Sequence, residues 1–216
     1  MRGARSFVLG HTKLCPVPGL EEVRLHLASE ILPLWRAVGE ATGDDDPPLP
    51  YWGFAWVGGL AIGRHLREHP ELVAGLRVLD LASGSGLCAI RAALAGAAEV
   101  TAVDIDPFAE AAIKANARAN GVRITVVGRD LLDEPPPEVD VILAGDCWYE
   151  AGLAGRVLPW LQAAQARGSE VIVGDAGRRY LPLDALAEIG AYDVRTTTDL
   201  EDLALKRGRV FVLRDP

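Results

Sequence analysis

Between residues 77 and 176 five short apolar runs recur, each bounded by polar or turn-forming residues: RVLDLA (77–82), EVTAVDI (99–105), RITVVG (123–128), DVILAG (140–145) and EVIVGDA (170–176). Near-continuous apolar runs of this length are the pattern of strands buried on both faces. Helix-like stretches stand between most of them. Residues 87–95 are rich in Ala and Leu. Residues 107–120 open on a proline and are followed by Gly121, the start and stop signals of a helix. Residues 153–167 and 182–189 also read as helices. The alternation predicts a parallel sheet covered by helices on both faces, an α/β fold of the doubly wound, Rossmann-like kind. The tail breaks the pattern. AYDVRTTT (191–198) and GRVFVLRD (208–215) read as two strands joined without a long helix, and they are expected to pair antiparallel at the sheet edge. EPPP (134–137) is a rigid linker into the fourth strand.

The clearest break lies earlier. GDDDPPLP (43–50) can hold neither a helix nor a central strand. It separates an N-terminal arm (1–49) from a body (50–216). In the arm, VRLHLA (23–28) alternates as a strand does, and PLWRAV (33–38) reads as a helix with Pro33 in its first position. The stretch before it is expected to be a short flexible leader without the apolar core of a secretory signal.

Composition narrows the function. The chain has 216 residues, 50% hydrophobic and 24% charged, the proportions of an ordinary globular domain. It holds no apolar run of the ~18 residues a membrane span needs. The formal charge of −8 argues against a nucleic-acid surface. Cys15, Cys88 and Cys147 are odd in number and form no CxxC, so neither a disulfide framework nor a zinc site is expected, and a reducing cytoplasm suits the chain. His11, His26, His65 and His69 form no ligand pattern, and no metal is expected.

The chemistry sits at VLDLASGSG (78–86). Gly84 and Gly86 allow a tight turn and a close backbone approach to a ligand, and the following helix turns its N-terminal N–H groups toward the same place. Asp104 closes the next strand at the distance, about 20 residues, at which an acid meets ribose hydroxyls. A nicotinamide dinucleotide would use the same parts. Two residues lean away from it. Ala89 replaces the third glycine of G-x-G-x-x-G. Asp80 puts a carboxylate in the strand end, where it would repel a pyrophosphate and attract an ammonium or a sulfonium. S-adenosylmethionine carries both cations and no phosphate.

With VTAVDIDP and the antiparallel tail, this segment resembles the seven-strand, class I S-adenosylmethionine-dependent methyltransferases. The resemblance implies a sheet of order 3-2-1-4-5-7-6 with the seventh strand antiparallel. A narrower likeness covers nearly the whole chain. VRLHLA, PYWGFAWVGG, VLDLASGSG, DIDP, GDCWY and VIVGDAGR, in that order, resemble the protein-lysine methyltransferases of the methyltransferase-16 group, with Val57 and Ala176 standing where the likeness suggests proline. It implies a monomeric enzyme whose partner is a protein presenting a lysine, the β subunit of electron transfer flavoprotein among such proteins, and neither nucleic acid nor membrane.

The residue roles follow from the same matches. Trp56, Gly59, Asp80, Ser83, Gly84, Gly86, Asp104, Ile105, Asp130 and Leu131 are the expected cofactor contacts, Asp130 and Leu131 toward the adenine. Asp146 and Tyr149 of the acid-x-x-aromatic motif DCWY are the expected catalytic pair. Trp52, Trp148 and the same pair are the expected substrate contacts. Each has a plainer reading: Asp80 and Asp146 as helix caps, Tyr149, Trp52 and Trp56 as core, Cys88 and Cys147 as packing residues. A small-molecule methyltransferase and a nicotinamide-dependent oxidoreductase are the alternative activities.

Overall fold

A computed structural model describes residues 3–195 and 205–214. The five apolar runs form β3 (Arg77–Leu81), β4 (Glu99–Val103), β5 (Thr125–Val127), β6 (Val141–Gly145) and β7 (Glu170–Asp175), and the tail supplies β8 (Leu186–Arg195) and β9 (Leu205–Leu213). They make one sheet of order β5-β4-β3-β6-β7-β9-β8. The first five are mutually parallel, and β9 is antiparallel to both β7 and β8. This is the order 3-2-1-4-5-7-6 that the family resemblance implies.

Alternate residues of the central strands feed opposite layers, which is why their sequences are apolar throughout. Leu79, Ile142, Ala144, Val171 and Val173 pack with Trp148, Trp160 and Leu161 on one face. Val78, Val141, Leu143 and Ile172 pack with Ile62, Ala89 and Ile113 on the other. The covering helices are α3 (Val57–Glu68), α4 (Leu87–Leu94), α5 (Pro107–Ala119) and α6 (Ala151–Ala166). Asp106 caps α5 by accepting from the Phe108 N–H at 2.7 Å, and Pro107 opens it.

The N-terminal residues hold α1 (Ala4–His11), an antiparallel pair β1 (Lys13–Val17) and β2 (Leu20–Leu27), and α2 (Ile31–Thr42). The expected flexible leader is therefore a helix and a strand. Its weak pattern has a local cause: α1 is one short amphipathic stretch with Gly10 inside, and β1 carries Pro16, tolerated in a two-stranded edge. Pro33 occupies the third position of α2, not the first. Asn116 of α5 and Asn120, its C-cap, hold this region down. The Asn116 and Asn120 amide oxygens accept from the backbone N–H groups of His26 and Arg24, at 2.7 and 2.8 Å. Asn116 Nδ2 also donates to the Ser85 carbonyl, tying the arm to the glycine loop at 2.8 Å. His26 is half-buried here, where an exposed strand residue is the plain expectation.

One predicted helix is absent. Residues 182–189 form a single 3-10 turn (Leu183–Ala185) and then the start of β8. Leu, Ala and Glu favour a helix locally, but Leu186 pairs with Leu213 and Ala187 with Val212 on β9. Burial of Leu186 against that strand overrides the local preference. Of the expected strand 191–198, residues 196–198 lie outside the described residues, as does residue 215 of the final run.

Candidate active site

Strand order reverses between β3 and β6, and ligand crevices form at such points beyond the carboxyl ends of parallel strands. Here a cleft of about 530 Å³ opens there, roofed by the segment 48–56. Its floor is the glycine loop. Ala82, Gly84 and Gly86 all take left-handed backbone angles, with φ of 51°, 54° and 83°. Glycine adopts these freely; Ala82 does so at a cost of about 1–2 kcal/mol. The loop is held by Ser83 N–H donating to the Val103 carbonyl and Gly86 N–H to the Ser83 carbonyl.

Asp80 lies beneath the loop, 1% exposed. The Ser83 hydroxyl and the Ala89 N–H both donate to its Oδ2, so it does cap α4. Burial, opposed by those two hydrogen bonds, pushes its pKa up to about 7. Among the described residues no cation pairs with it. A buried carboxylate of this kind fits a cationic ligand group and repels a phosphate. The raised pKa also makes a prediction. Below about 4 the proton is held in both folded and unfolded chains; as pH rises through about 7 the folded form loses it at a cost. The stability of the ligand-free protein is expected to decline between about pH 4 and 7. Asp80→Asn lessens that decline, to which the raised carboxyls of Asp104 and Asp146 also contribute, read as the urea midpoint against pH.

Asp104 stands at the end of β4. Gly84 N–H donates to its Oδ2 at 2.8 Å and Asp106 N–H to its Oδ1 at 2.9 Å, while burial raises its pKa. Ile105 beside it is 70% exposed, an apolar side chain presented to the cleft. Asp104→Ala removes the acceptor of the Gly84 N–H as well as any ligand contact. It is expected to weaken binding of S-adenosylhomocysteine by about 1–3 kcal/mol, roughly 5- to 150-fold, in calorimetric titration.

At the far end, Asp130 and Leu131 also line the cleft. Asp130 accepts from the Leu132 N–H and pairs with Arg156 at 2.8 Å. These contacts outweigh its burial and hold its pKa low. Its carboxylate is thus already shared with a cation at the cleft wall.

Asp146 follows β6 with φ of 57°, a second non-glycine residue in the left-handed region. It does not cap α6, whose N-cap is Glu150. Its Oδ2 accepts from the Gly59 N–H at 2.9 Å, capping the N-terminus of α3 instead, and its own N–H donates to the Gly174 carbonyl. Val57, where the likeness suggests proline, is the first residue of that helix, a position proline tolerates. Arg178 lies 3.5 Å from Asp146 Oδ1. Burial, partly offset by Arg178, raises the Asp146 pKa to about 6.

Aromatic rings line the adjoining wall. Tyr149 packs on Tyr51 with centroids 5.0 Å apart, and Tyr51 on Trp56 at 5.6 Å. Trp56 Nε1 donates to the Tyr51 carbonyl at 2.8 Å, and the Arg178 guanidinium sits over the Trp56 ring. Burial and the neighbouring Tyr51 push the Tyr149 pKa well up, so it stays a neutral phenol.

Twelve of the expected positions thus converge on one cleft: Trp52, Trp56, Gly59, Asp80, Ser83, Gly84, Asp104, Ile105, Asp130, Leu131, Asp146 and Tyr149. Two do not. Trp148, expected on the channel wall, is fully buried in the core among Val157, Trp160 and Leu161. After the left-handed turn at Asp146, Cys147 and Trp148 pack into the core layer beneath α6. Gly86 serves the turn, its Cα side closed off by Ile113. Trp52 borders the cleft, yet its side chain is 1% exposed and stacks on Phe108, 6.0 Å between centroids. Tyr51, Arg156 and Arg178 are site residues the sequence reading did not single out. Tyr51 and Arg178 lie inside stretches it quoted, PYWGFAWVGG and VIVGDAGR.

Comparison with known proteins agrees with this geometry. Residues 67–145 match the family described as Ribosomal protein L11 methyltransferase (PrmA). The chain is 34% identical to the electron transfer flavoprotein beta subunit lysine methyltransferase of Xenopus laevis, covering 96% of this chain and 85% of that one. It is 36% identical to the protein of that name from Rattus norvegicus, covering 73% and 61%. Magnesium protoporphyrin IX methyltransferase (ChlM) from Synechocystis, solved with bound SAM, shares the fold at a TM-score of 0.51 and 18% identity, over 71% of this chain and 76% of that one. The protein is an S-adenosylmethionine-dependent methyltransferase. On a likeness running almost its whole length, the chain belongs to the family of electron transfer flavoprotein beta subunit lysine methyltransferases.

Proposed function

We propose that the protein transfers methyl groups to a lysine side chain of a protein substrate, the β subunit of electron transfer flavoprotein. The observation that carries the reading is the cleft itself. It joins Asp80, a buried carboxylate with no cation beside it among the described residues, to an aromatic slot ending at a second carboxylate, Asp146. Asp80 and the glycine loop would hold the amino-acid end of the cofactor, Asp104 its ribose, and Ile105, Asp130 and Leu131 its adenine. When bound, the cofactor supplies a methyl group activated by a positive sulfur.

The chain's own residues then govern the amine. A lysine ammonium, ordinarily of pKa near 10.4, must lose a proton before it can attack. Asp146, anionic above about pH 6, attracts the ammonium and orients it. Tyr51, Trp56 and Tyr149 wall the slot with aromatic rings that can hold the arriving cation, while the exclusion of water there eases its deprotonation. Asp146 is too weak a base to keep the proton, which passes to water. Aligning the amine with the methyl carbon supplies much of the rate.

The arm and body are proposed as one functional unit, since segment 48–56 roofs the cleft. Among the described residues no helix is long and apolar enough to cross a membrane. Three free thiols suit a reducing compartment such as the cytoplasm, and a monomer is the proposed working form. The test is transfer of labelled methyl from S-adenosylmethionine into an extract. Label on a lysine of the flavoprotein β subunit supports the reading. Label only on small molecules favours a small-molecule methyltransferase.

A further inference from the structure

At the end of β7, Asp175 is a fully buried carboxylate that the mechanism above does not use. Its Oδ1 accepts from the N–H groups of Gly177 and Arg178, both at 2.6 Å. Its Oδ2 is buried with no hydrogen-bond partner among the described residues. An anion left half-satisfied in the core is costly, so its retention calls for a use. The two N–H bonds show one. They fold residues 175–178 into a tight turn, with Gly177 at φ of 87°. The turn returns Arg178 to the cleft, where its guanidinium meets Asp146 Oδ1 at 3.5 Å and covers the Trp56 ring at 5.6 Å.

We infer that Asp175 and Arg178 are a positioning pair: Asp175 folds the turn, and the turn sets the Arg178 guanidinium against Asp146 and over Trp56, fixing the carboxylate that receives the substrate amine. Arg178 gives Asp146 a cationic neighbour before substrate arrives, so the carboxylate stays charged in a buried place. The incoming ammonium then takes a position beside an anion that is already oriented. The inference rests on the reading of Asp146 as the amine's partner.

Among the described residues, the charged and titratable groups around Asp146 are Arg178 and Asp175 from β7 and its turn, Cys147 next in the chain and Cys88 from α4; the Gly59 N–H of α3 donates to it. Arg178 and Asp175 act on it with opposite sign, which gives the test. The full-length protein is labelled with ¹³C at aspartate carboxyls, and the Asp146 resonance, assigned with Asp146→Asn, is followed against pH. Arg178→Gln is expected to raise the Asp146 midpoint by about one pH unit, and Asp175→Asn, which keeps an acceptor for the turn, to lower it by roughly half a unit. In parallel, kcat/KM for the protein substrate falls about tenfold or more in Arg178→Gln and partly recovers in Arg178→Lys, with S-adenosylhomocysteine affinity unchanged. An unmoved Asp146 midpoint in both folded variants overturns the inference. A midpoint that shifts as expected, with Asp146→Asn as active as wild type, upholds the pair and instead refutes the assigned role of Asp146.

Discussion

Asp146→Asn is expected to lower methyl transfer to the protein substrate by about a hundredfold or more, with S-adenosylhomocysteine affinity within about threefold of wild type. Asparagine is the informative replacement for two reasons. Asp146 sits at φ of 57°, a conformation asparagine accepts more readily than most residues. Its side-chain oxygen can still accept from the Gly59 N–H, so the cap on α3 survives. What disappears is the negative charge that would attract the ammonium. Asp146→Ala is a blunter test, since it also leaves a buried N–H without an acceptor, a loss of about 1–3 kcal/mol. Single-turnover transfer and calorimetric titration of the same two variants separate the effects. A fully active Asp146→Asn would leave the carboxylate with its capping role alone.

Gly58→Ala is expected to be the most damaging small substitution in the chain for stability, costing about 3 kcal/mol or more. A β-carbon there would lie 2.2 Å from the Gly174 carbonyl oxygen and 2.7 Å from Asp146 Oδ2. From the other side, one on Gly174 would lie 2.3 Å from the Gly58 oxygen. The two closest obstacles, the Gly174 and Gly58 carbonyls, are backbone and cannot rotate away. The Gly174 carbonyl already accepts from the Asp146 N–H, so β7 cannot retreat without breaking the joint with β6. The first turn of α3 must lift, and it carries the Gly59 N–H that Asp146 accepts. Chemical denaturation is expected to show the loss directly, together with weaker cofactor binding. A variant with wild-type stability would mean that α3 and β7 can separate freely.

The sequence carries the central sheet well because its strands are buried on both faces, and unbroken apolar runs such as DVILAG leave few alternatives. The cofactor end is legible for a related reason: Asp80, Gly84 and Asp104 sit at strand ends, where chain position alone fixes location. The peripheral elements are harder to read. The segment 182–189 has helical composition, and only the pairing of Leu186 with Leu213 makes it a strand. The substrate end depends on backbone angles that no residue pattern announces. Trp148 and Tyr149 are neighbours in DCWY, yet one turns into the core and the other into the cleft after the left-handed step at Asp146. Arg178 reaches Asp146 only through the turn that Asp175 and Gly177 build. The family likeness picks out the acid-x-x-aromatic motif; folding decides which of its residues line the cleft.

Methylation of a protein lysine at this cleft leaves a mass signature on the substrate. The most direct measurement is mass spectrometry, with peptide mapping, of purified electron transfer flavoprotein β subunit after incubation with the enzyme and S-adenosylmethionine. Wild-type enzyme is expected to add one or more methyl groups to lysine, and Asp146→Asn almost none. An unmodified β subunit, with wild-type enzyme shown by titration to bind the cofactor, would contradict the proposed function.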